Sequence, residues 1–237
     1  MNKLYFRQLL AGRDFAKDDP AARQMENFVY LIGDATRREA FVVDPAWDIE
    51  GVLSQLEKDD MKLTGVLATH YHPDHVGGHI FGHDIQGLSE LIGRAPVPVY
   101  VNSHEAEGIR QVTGLSLNDL KMVEGGDTLS VGDVPIRLLH TPGHTPGSQC
   151  FLVDEERLVS GDTLFIGACG RVDLPGGDPE AMYRSLSSLS QLDDRVVLFP
   201  GHDYGDRPFK PMALEKQTNP YLKAASLQQF LHTRGVG

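Results

Sequence analysis

His70-Tyr71-His72-Pro73-Asp74-His75 places three histidines and a carboxylate within six residues, directly after the apolar, β-prone run Gly65-Val66-Leu67-Ala68-Thr69. A metal-ligating segment therefore sits at the end of a buried strand. Imidazole together with carboxylate suits zinc, iron or manganese, and the lack of nearby thiolates speaks against a structural Cys-rich zinc site. Such a donor set keeps coordination positions open for catalysis.

Working outward, residues 27–33 and 39–44 read as a hairpin around the polar turn Asp34-Ala35-Thr36-Arg37-Arg38. Asp48 opens a helix in which Ile49, Val52, Leu53 and Leu56 recur at helical spacing, and the strand 65–69 follows. Residues 79–94 are Gly-interrupted and resist assignment; 97–101 resumes a short strand, with Ser103 placed to cap the next helix. A second series of strands spans 127–131, 134–140, 149–153, 158–160 and 195–200. Asp178-Pro179-Glu180 starts a helix whose apolar stripe is Tyr183, Leu186 and Leu189. The pattern predicts two β-rich halves packed face to face with helices outside, and one short helix in the tail 219–237.

The chain of 237 residues, 41% hydrophobic and 23% charged, suits one domain over 1–237 with a short tail from about residue 206, and needs no disulfide staples. Cys150 and Cys169 form no disulfide framework; both are expected as free thiols, Cys169 as a packing residue. A net charge of −11 without a Lys/Arg cluster argues against nucleic acid, and no apolar run reaches membrane-spanning length. Met1-Asn2-Lys3-Leu4-Tyr5-Phe6-Arg7-Gln8 lacks a secretory pattern, so a cytoplasmic location is expected.

Three further apolar strands end in candidate ligands: His140-Thr141-Pro142-Gly143-His144-Thr145-Pro146-Gly147, Ser160-Gly161-Asp162-Thr163 and Gly201-His202-Asp203. The ordered set His-x-His-x-Asp-His, Gly-His-Thr-x-Gly, Gly-Asp-Thr and Gly-His-Asp resembles the metallo-β-lactamase fold superfamily from about residue 27 to residue 205. The resemblance implies an αββα sandwich, an α/β fold of two mixed sheets flanked by helices, with two metals in a groove at one edge. His70, His72 and His144 would hold the first, Asp74, His75 and His202 the second, and Asp162 would bridge them. Asp74 and Asp162 are thereby the carboxylates expected to serve catalysis. Two divalent ions, zinc first with iron or manganese as alternatives, stand roughly 3.5–4 Å apart in such sites and bring a water to a pKa of about 7. Gly77, Gly78, Gly143 and Gly161 allow sharp turns or close approach to the site. His79, His83, His104 and His232 match no motif position and read as surface or packing residues, while His140 stands near enough to support a ligand.

Within the superfamily, His72 stands where oxygen-reducing di-iron flavoproteins carry Glu, and Asp162 where many true β-lactamases lack the bridging carboxylate. Gly161-Asp162-Thr163-Leu164-Phe165 with Cys169-Gly170-Arg171 resembles glyoxalase II, which hydrolyses S-D-lactoylglutathione. Arg171-Val172-Asp173 departs from the Lys/Arg-Phe-Tyr pattern of its glutathione site, and about 35 residues after His202 are too few for the helical C-terminal domain of the long enzymes. A short form carrying Gly-Arg-x-Asp-Phe-Pro-x-Gly-Asp fits residues 170–178 better. The expectation is a hydrolase of glutathione-type thioesters, acting on a small-molecule thiol derivative, with a homodimer left open. Arg171 would pair with a substrate carboxylate beside Asp173, and Tyr204 would donate a hydrogen bond. The alternative is the persulfide dioxygenase branch, in which a single iron held by His70, His144 and Asp162 oxidises glutathione persulfide. Cys169-Gly170-Arg171-Val172-Asp173, His202-Asp203-Tyr204 and Glu215-Lys216-Gln217-Thr218-Asn219-Pro220 resemble that branch.

Overall fold

Alternation along the strands builds the sandwich. In the computed structural model, which describes residues 3–235, the first half carries β1 (Leu4–Leu10), β2 (Phe28–Asp34), β3 (Glu39–Val43), β4 (Lys62–Leu67), a small hairpin of β5 (Gly78–Ile80) and β6 (His83–Ile85), β7 (Val99–Asn102) and β8 (Leu120–Val123). The second half carries β9 (Thr128–Val131), β10 (Val134–His140), β11 (Gln149–Val153), β12 (Arg157–Val159), a two-residue hairpin of β13 (Leu164–Phe165) and β14 (Ala168–Cys169), β15 (Val197–Phe199) and β16 (Lys210–Pro211). Two six-stranded sheets result, ordered β1-β2-β3-β4-β7-β8 and β16-β15-β12-β11-β10-β9.

Phe28, Tyr30 and Ile32 of β2 face inward against Ile136 and Leu138 of β10 and Phe151 and Val153 of β11, forming the core between the sheets. The intervening Val29 and Leu31 face outward and pack under the helices α1 (Pro20–Met25) and α2 (Ile49–Lys58). Farther along the same sheet, Val66, Val99 and Val101 are covered by α4 (Leu88–Arg94) and α5 (Ala106–Thr113), the single turn α3 (Pro73–Val76) having intervened in sequence. Cys150, Leu152 and Leu158 are covered by α6 (Pro179–Leu189), α7 (Met212–Thr218) and α8 (Leu227–Arg234). Period-two strands buried on both faces thus give four layers, helix, sheet, sheet, helix. This is the αββα sandwich expected from the motifs.

Several boundaries differ from the sequence reading. The strand expected at 65–69 is Lys62–Leu67, so Ala68 and Thr69 belong to the turn leading into His70. Ser103 does not cap a helix: α5 begins after Glu105, and no side chain caps its first turn. Its place is in a turn where Asn102 Oδ1 accepts the His104 N–H at 3.0 Å. Residues 79–94 resolve into the β5–β6 hairpin and α4. Asp48 and Asp178 cap α2 and α6 as their sequences predict, and the tail forms α8. The ends of the N-terminal stretch and of the tail, residues 1–2 and 236–237, lie outside the described residues.

The parallel pairs β3–β4 and β12–β15 send their carboxyl ends to the same edge. There the backbones of the two sheets join. Gln149 N–H donates to Thr69 O at 3.0 Å and Phe28 N–H to Gly201 O at 2.8 Å, while Gly201 N–H donates to Gly161 O at 2.9 Å and ties the ends of β12 and β15 within one sheet.

Candidate metal centre

Each predicted ligand leaves the carboxyl end of a strand at this edge. His70, His72 and His144 form one cluster and Asp74, His75 and His202 another, with donor atoms mutually within 4.8 Å in each. In the first, His72 Nδ1 lies 3.1 Å from His70 Nε2 and 2.9 Å from His144 Nε2. In the second, His75 Nε2 and His202 Nε2 are 3.2 Å apart, and each lies 3.4 Å from Asp74 Oδ2. Asp162 faces both, with Oδ1 at 3.3 and 3.4 Å from His75 and His202 and Oδ2 at 3.5 Å from His144.

The ring orientations have identifiable causes. His202 Nδ1–H donates to Met25 O at 2.7 Å, His144 Nδ1–H to Arg171 O at 2.8 Å and His75 Nδ1–H to Asp44 Oδ2 at 2.9 Å. His70 Nδ1–H donates to Thr69 Oγ1 at 2.9 Å, and that hydroxyl donates onward to Asp44 Oδ2 at 2.6 Å. With each Nδ1 turned to these acceptors, four Nε2 atoms converge, the ring orientation that metal ligation requires. Asn27 holds the second cluster from behind: its amide donates to Asp74 Oδ2 at 3.0 Å while its carbonyl accepts Trp47 Nε1–H at 3.0 Å.

Charge supplies a test of fit. Burial, reinforced by the neighbouring histidines, holds His70 well below its usual range and His72 down at about 4, so both are neutral donors. Burial also opposes charge on His75, His202 and Asp162, yet the attraction of Asp162 for His202 and His75 wins, driving the acid down and both imidazoles up. Asp162 Oδ1 is buried with no aligned hydrogen-bond donor. Two buried carboxylates call for a cation among them, and converging imidazoles with an orphaned carboxylate oxygen suit divalent metal.

Backbone freedom matters at two positions. Gly161 has φ +49°, and a Cβ there would lie 2.6 Å from Thr69 Oγ1, displacing the support of His70. Gly143, at φ +141°, would set a Cβ 2.4 Å from the Met182 backbone. Gly77 and Gly78 also take positive φ.

The expected substrate contacts surround the cluster unequally. Tyr204 stacks on His202 at 4.6 Å between centroids and is half exposed, and burial with the two nearby carboxylates pushes its phenol up, so it stays a donor. Arg171 and Asp173 are both exposed and pair with each other at 2.7 Å; it is the Arg171 carbonyl, not its guanidinium, that reaches a cluster histidine. His140 touches no cluster ring: it stacks on His104 and meets Pro146 O at 3.0 Å. His79 and His83 pair with Asp84 and Asp19 away from the clusters. Both cysteines are buried thiols. Asp44, Thr69 and Asn27 escaped the sequence reading. Only Asp44 had a visible signal, an acid ending the apolar run Val42-Val43 as the ligands end theirs.

The Metallo-beta-lactamase superfamily profile matches residues 23–202. A probable polyketide biosynthesis zinc-dependent hydrolase, BaeB of Bacillus velezensis, is 29% identical over 88% of this chain and 87% of its own length. The hydroxyacylglutathione hydrolase of Alkalilimnicola ehrlichii is 38% identical over 76% of this chain, which spans 62% of that enzyme. Among solved structures, ETHE1 from Myxococcus xanthus is 30% identical with a TM-score of 0.76, covering 98% of this chain and 90% of that one. Among the described residues no helix is long and apolar enough to cross a membrane.

Proposed function

The chain belongs to the metallo-beta-lactamase superfamily, and from that premise we propose that it hydrolyses thioesters of a glutathione-type thiol as a single domain with two divalent metals, zinc first among them. The observation that carries this reading is the completeness of the second cluster, since Asp74, His75 and His202 converge as tightly as His70, His72 and His144. Those two triads would each hold one metal, with Asp162 touching both. When bound, the pair supplies Lewis-acid charge and a water acidic enough to deprotonate near neutral pH.

The chain's own residues would do the rest. Asp44 and the Met25 and Arg171 carbonyls keep the imidazoles turned inward. Tyr204, protonated and stacked on His202, would donate to a substrate oxygen. Arg171, on the rim, would leave Asp173 to pair with a substrate carboxylate. The relatives named as a hydroxyacylglutathione hydrolase and a zinc-dependent hydrolase support the reaction class.

A second reading has its own support in the likeness to ETHE1 over nearly the whole chain. His70, His144 and Asp162 would then hold one iron for persulfide oxidation. Protein purified without added metal should be assayed for loss of S-D-lactoylglutathione and for oxygen uptake on glutathione persulfide. Thioester loss without oxygen uptake is expected. Oxygen uptake without thioester loss would overturn the hydrolase in favour of the dioxygenase.

A further inference from the structure

We propose that Glu105 is a positioning residue for the His70, His72, His144 triad, a buried carboxylate that sets the spacing between the two loops carrying those rings. It touches none of the three imidazoles. Its place at the start of α5 puts it beneath both loops, fully buried. Oε2 accepts the N–H of Tyr71, the residue between His70 and His72, at 2.7 Å. Oε1 accepts the N–H of Gly147, three residues after His144, at 2.6 Å.

The two loops leave different sheets, one following β4 and the other β10. A single carboxylate therefore spans the sandwich where His72 and His144 must close to 2.9 Å. Hydrogen bonds to a charged acceptor are short and roughly twice as strong as neutral ones, so the span is stiff. Gly147 fits the arrangement: a Cβ there would lie 2.7 Å from Glu105 Cγ. The Tyr71 peptide also carries the ring that stands edge-on to His72 at 4.9 Å, and its hydroxyl donates to Pro175 O at 3.1 Å. No ion pair holds Glu105 among the described residues, although burial of an uncompensated carboxylate is costly. A cation in the adjacent triad would supply the missing countercharge. The second triad is held instead by Asn27, Asp44 and Met25, none of which bonds to Glu105.

The inference rests on the reading that the first triad holds a metal, and its test separates the two. Metal-free protein is titrated with Co2+ alone, followed by absorption; the binding step lost in Asp74→Ala identifies the second triad. Glu105→Gln, which keeps the shape but turns an amide N–H toward a backbone donor, should weaken the other step about 10–100-fold and leave the Asp74-dependent step unchanged. If the wild-type protein binds one metal, the two-metal reading fails, while Glu105→Gln should still weaken that single step. Equal weakening of both steps, or of neither, would overturn the role of Glu105. Should Glu105→Gln lose its cooperative thermal melt, Gly147→Ala, whose Cβ would press on Glu105 Cγ, carries the same comparison, with a smaller loss confined to the first triad expected and an unchanged titration contradicting it.

Discussion

Asp162 is the residue on which the two triads depend in common, because each of its oxygens faces a different one. Asp162→Asn keeps the shape and removes the charge, so most thioester hydrolysis should disappear and metal content per chain should fall, as elemental analysis would measure. Near-normal turnover with both metals retained would contradict the bridging role. Arg171→Lys should raise KM several-fold with little change in kcat, because lysine keeps charge but loses the fork. The rise is limited by Asp173, which already occupies the guanidinium; steady-state kinetics with an unchanged KM would leave Arg171 as a partner of Asp173 alone. The residues of the two clusters were legible because His and Asp gather at strand ends in short motifs. Their supports were not. Asp44 meets His75 across 31 residues, Asn27 meets Asp74 across 47 and Glu105 meets Gly147 across 42, and a lone polar residue carries no mark of so distant a partner.

The tail elements β16 and α7 act on the site through one buried ion pair. Lys210 Nζ lies 2.7 Å from Glu215 Oε1, with Glu215 fully buried. The other oxygen of Glu215 accepts from Gly167 N–H at 3.0 Å and Asn219 Nδ2 at 2.9 Å. Asn219 in turn donates to Ala168 O at 3.0 Å, so α7 clamps the β13–β14 hairpin between Asp162 and Arg171. Glu215→Leu should destabilise the fold by about 3–5 kcal/mol, since it strands a buried Lys210; a melt within a degree of wild type would contradict the clamp. Elements with clear periodicity, such as α2, α6 and β10, were legible to within a residue or two. The hairpins β5–β6 and β13–β14 were not, for their strands are three and two residues long and offer no period. β8 was missed because its middle residues, Lys121 and Met122, are exposed, leaving only Leu120 and Val123 buried.

At the scale of the whole molecule, two β-rich halves are fastened at both ends, and the end away from the metal cluster depends on Asp34. Its carboxylate accepts from Thr36 N–H at 2.9 Å in its own turn and from Asp133 N–H at 2.9 Å in the β9–β10 turn of the other sheet. The Thr36 hydroxyl and these backbone donors hold the acid well below its usual range. A depressed folded-state pKa adds stability above the unfolded value near 4 that is lost as pH falls through the folded value. Asp34→Asn should therefore cost about 1–3 kcal/mol at pH 7 and progressively less as pH falls below the unfolded value near 4, most of the loss coming only toward the depressed folded value, as urea titrations through the acid range would reveal; a cost independent of pH would contradict the charged tie. The halves were legible in sequence as two series of strands ending in His/Asp motifs, whereas strand order and the Asp34 tie arise from contacts that no local pattern encodes. The claim that these halves close on a pair of metals meets its most direct test in the metal content of Asp74→Ala beside wild type. Two divalent ions per chain are expected to fall to about one, with thioester hydrolysis reduced by orders of magnitude. One iron per chain in both proteins, with persulfide-dependent oxygen uptake surviving the substitution, would contradict it.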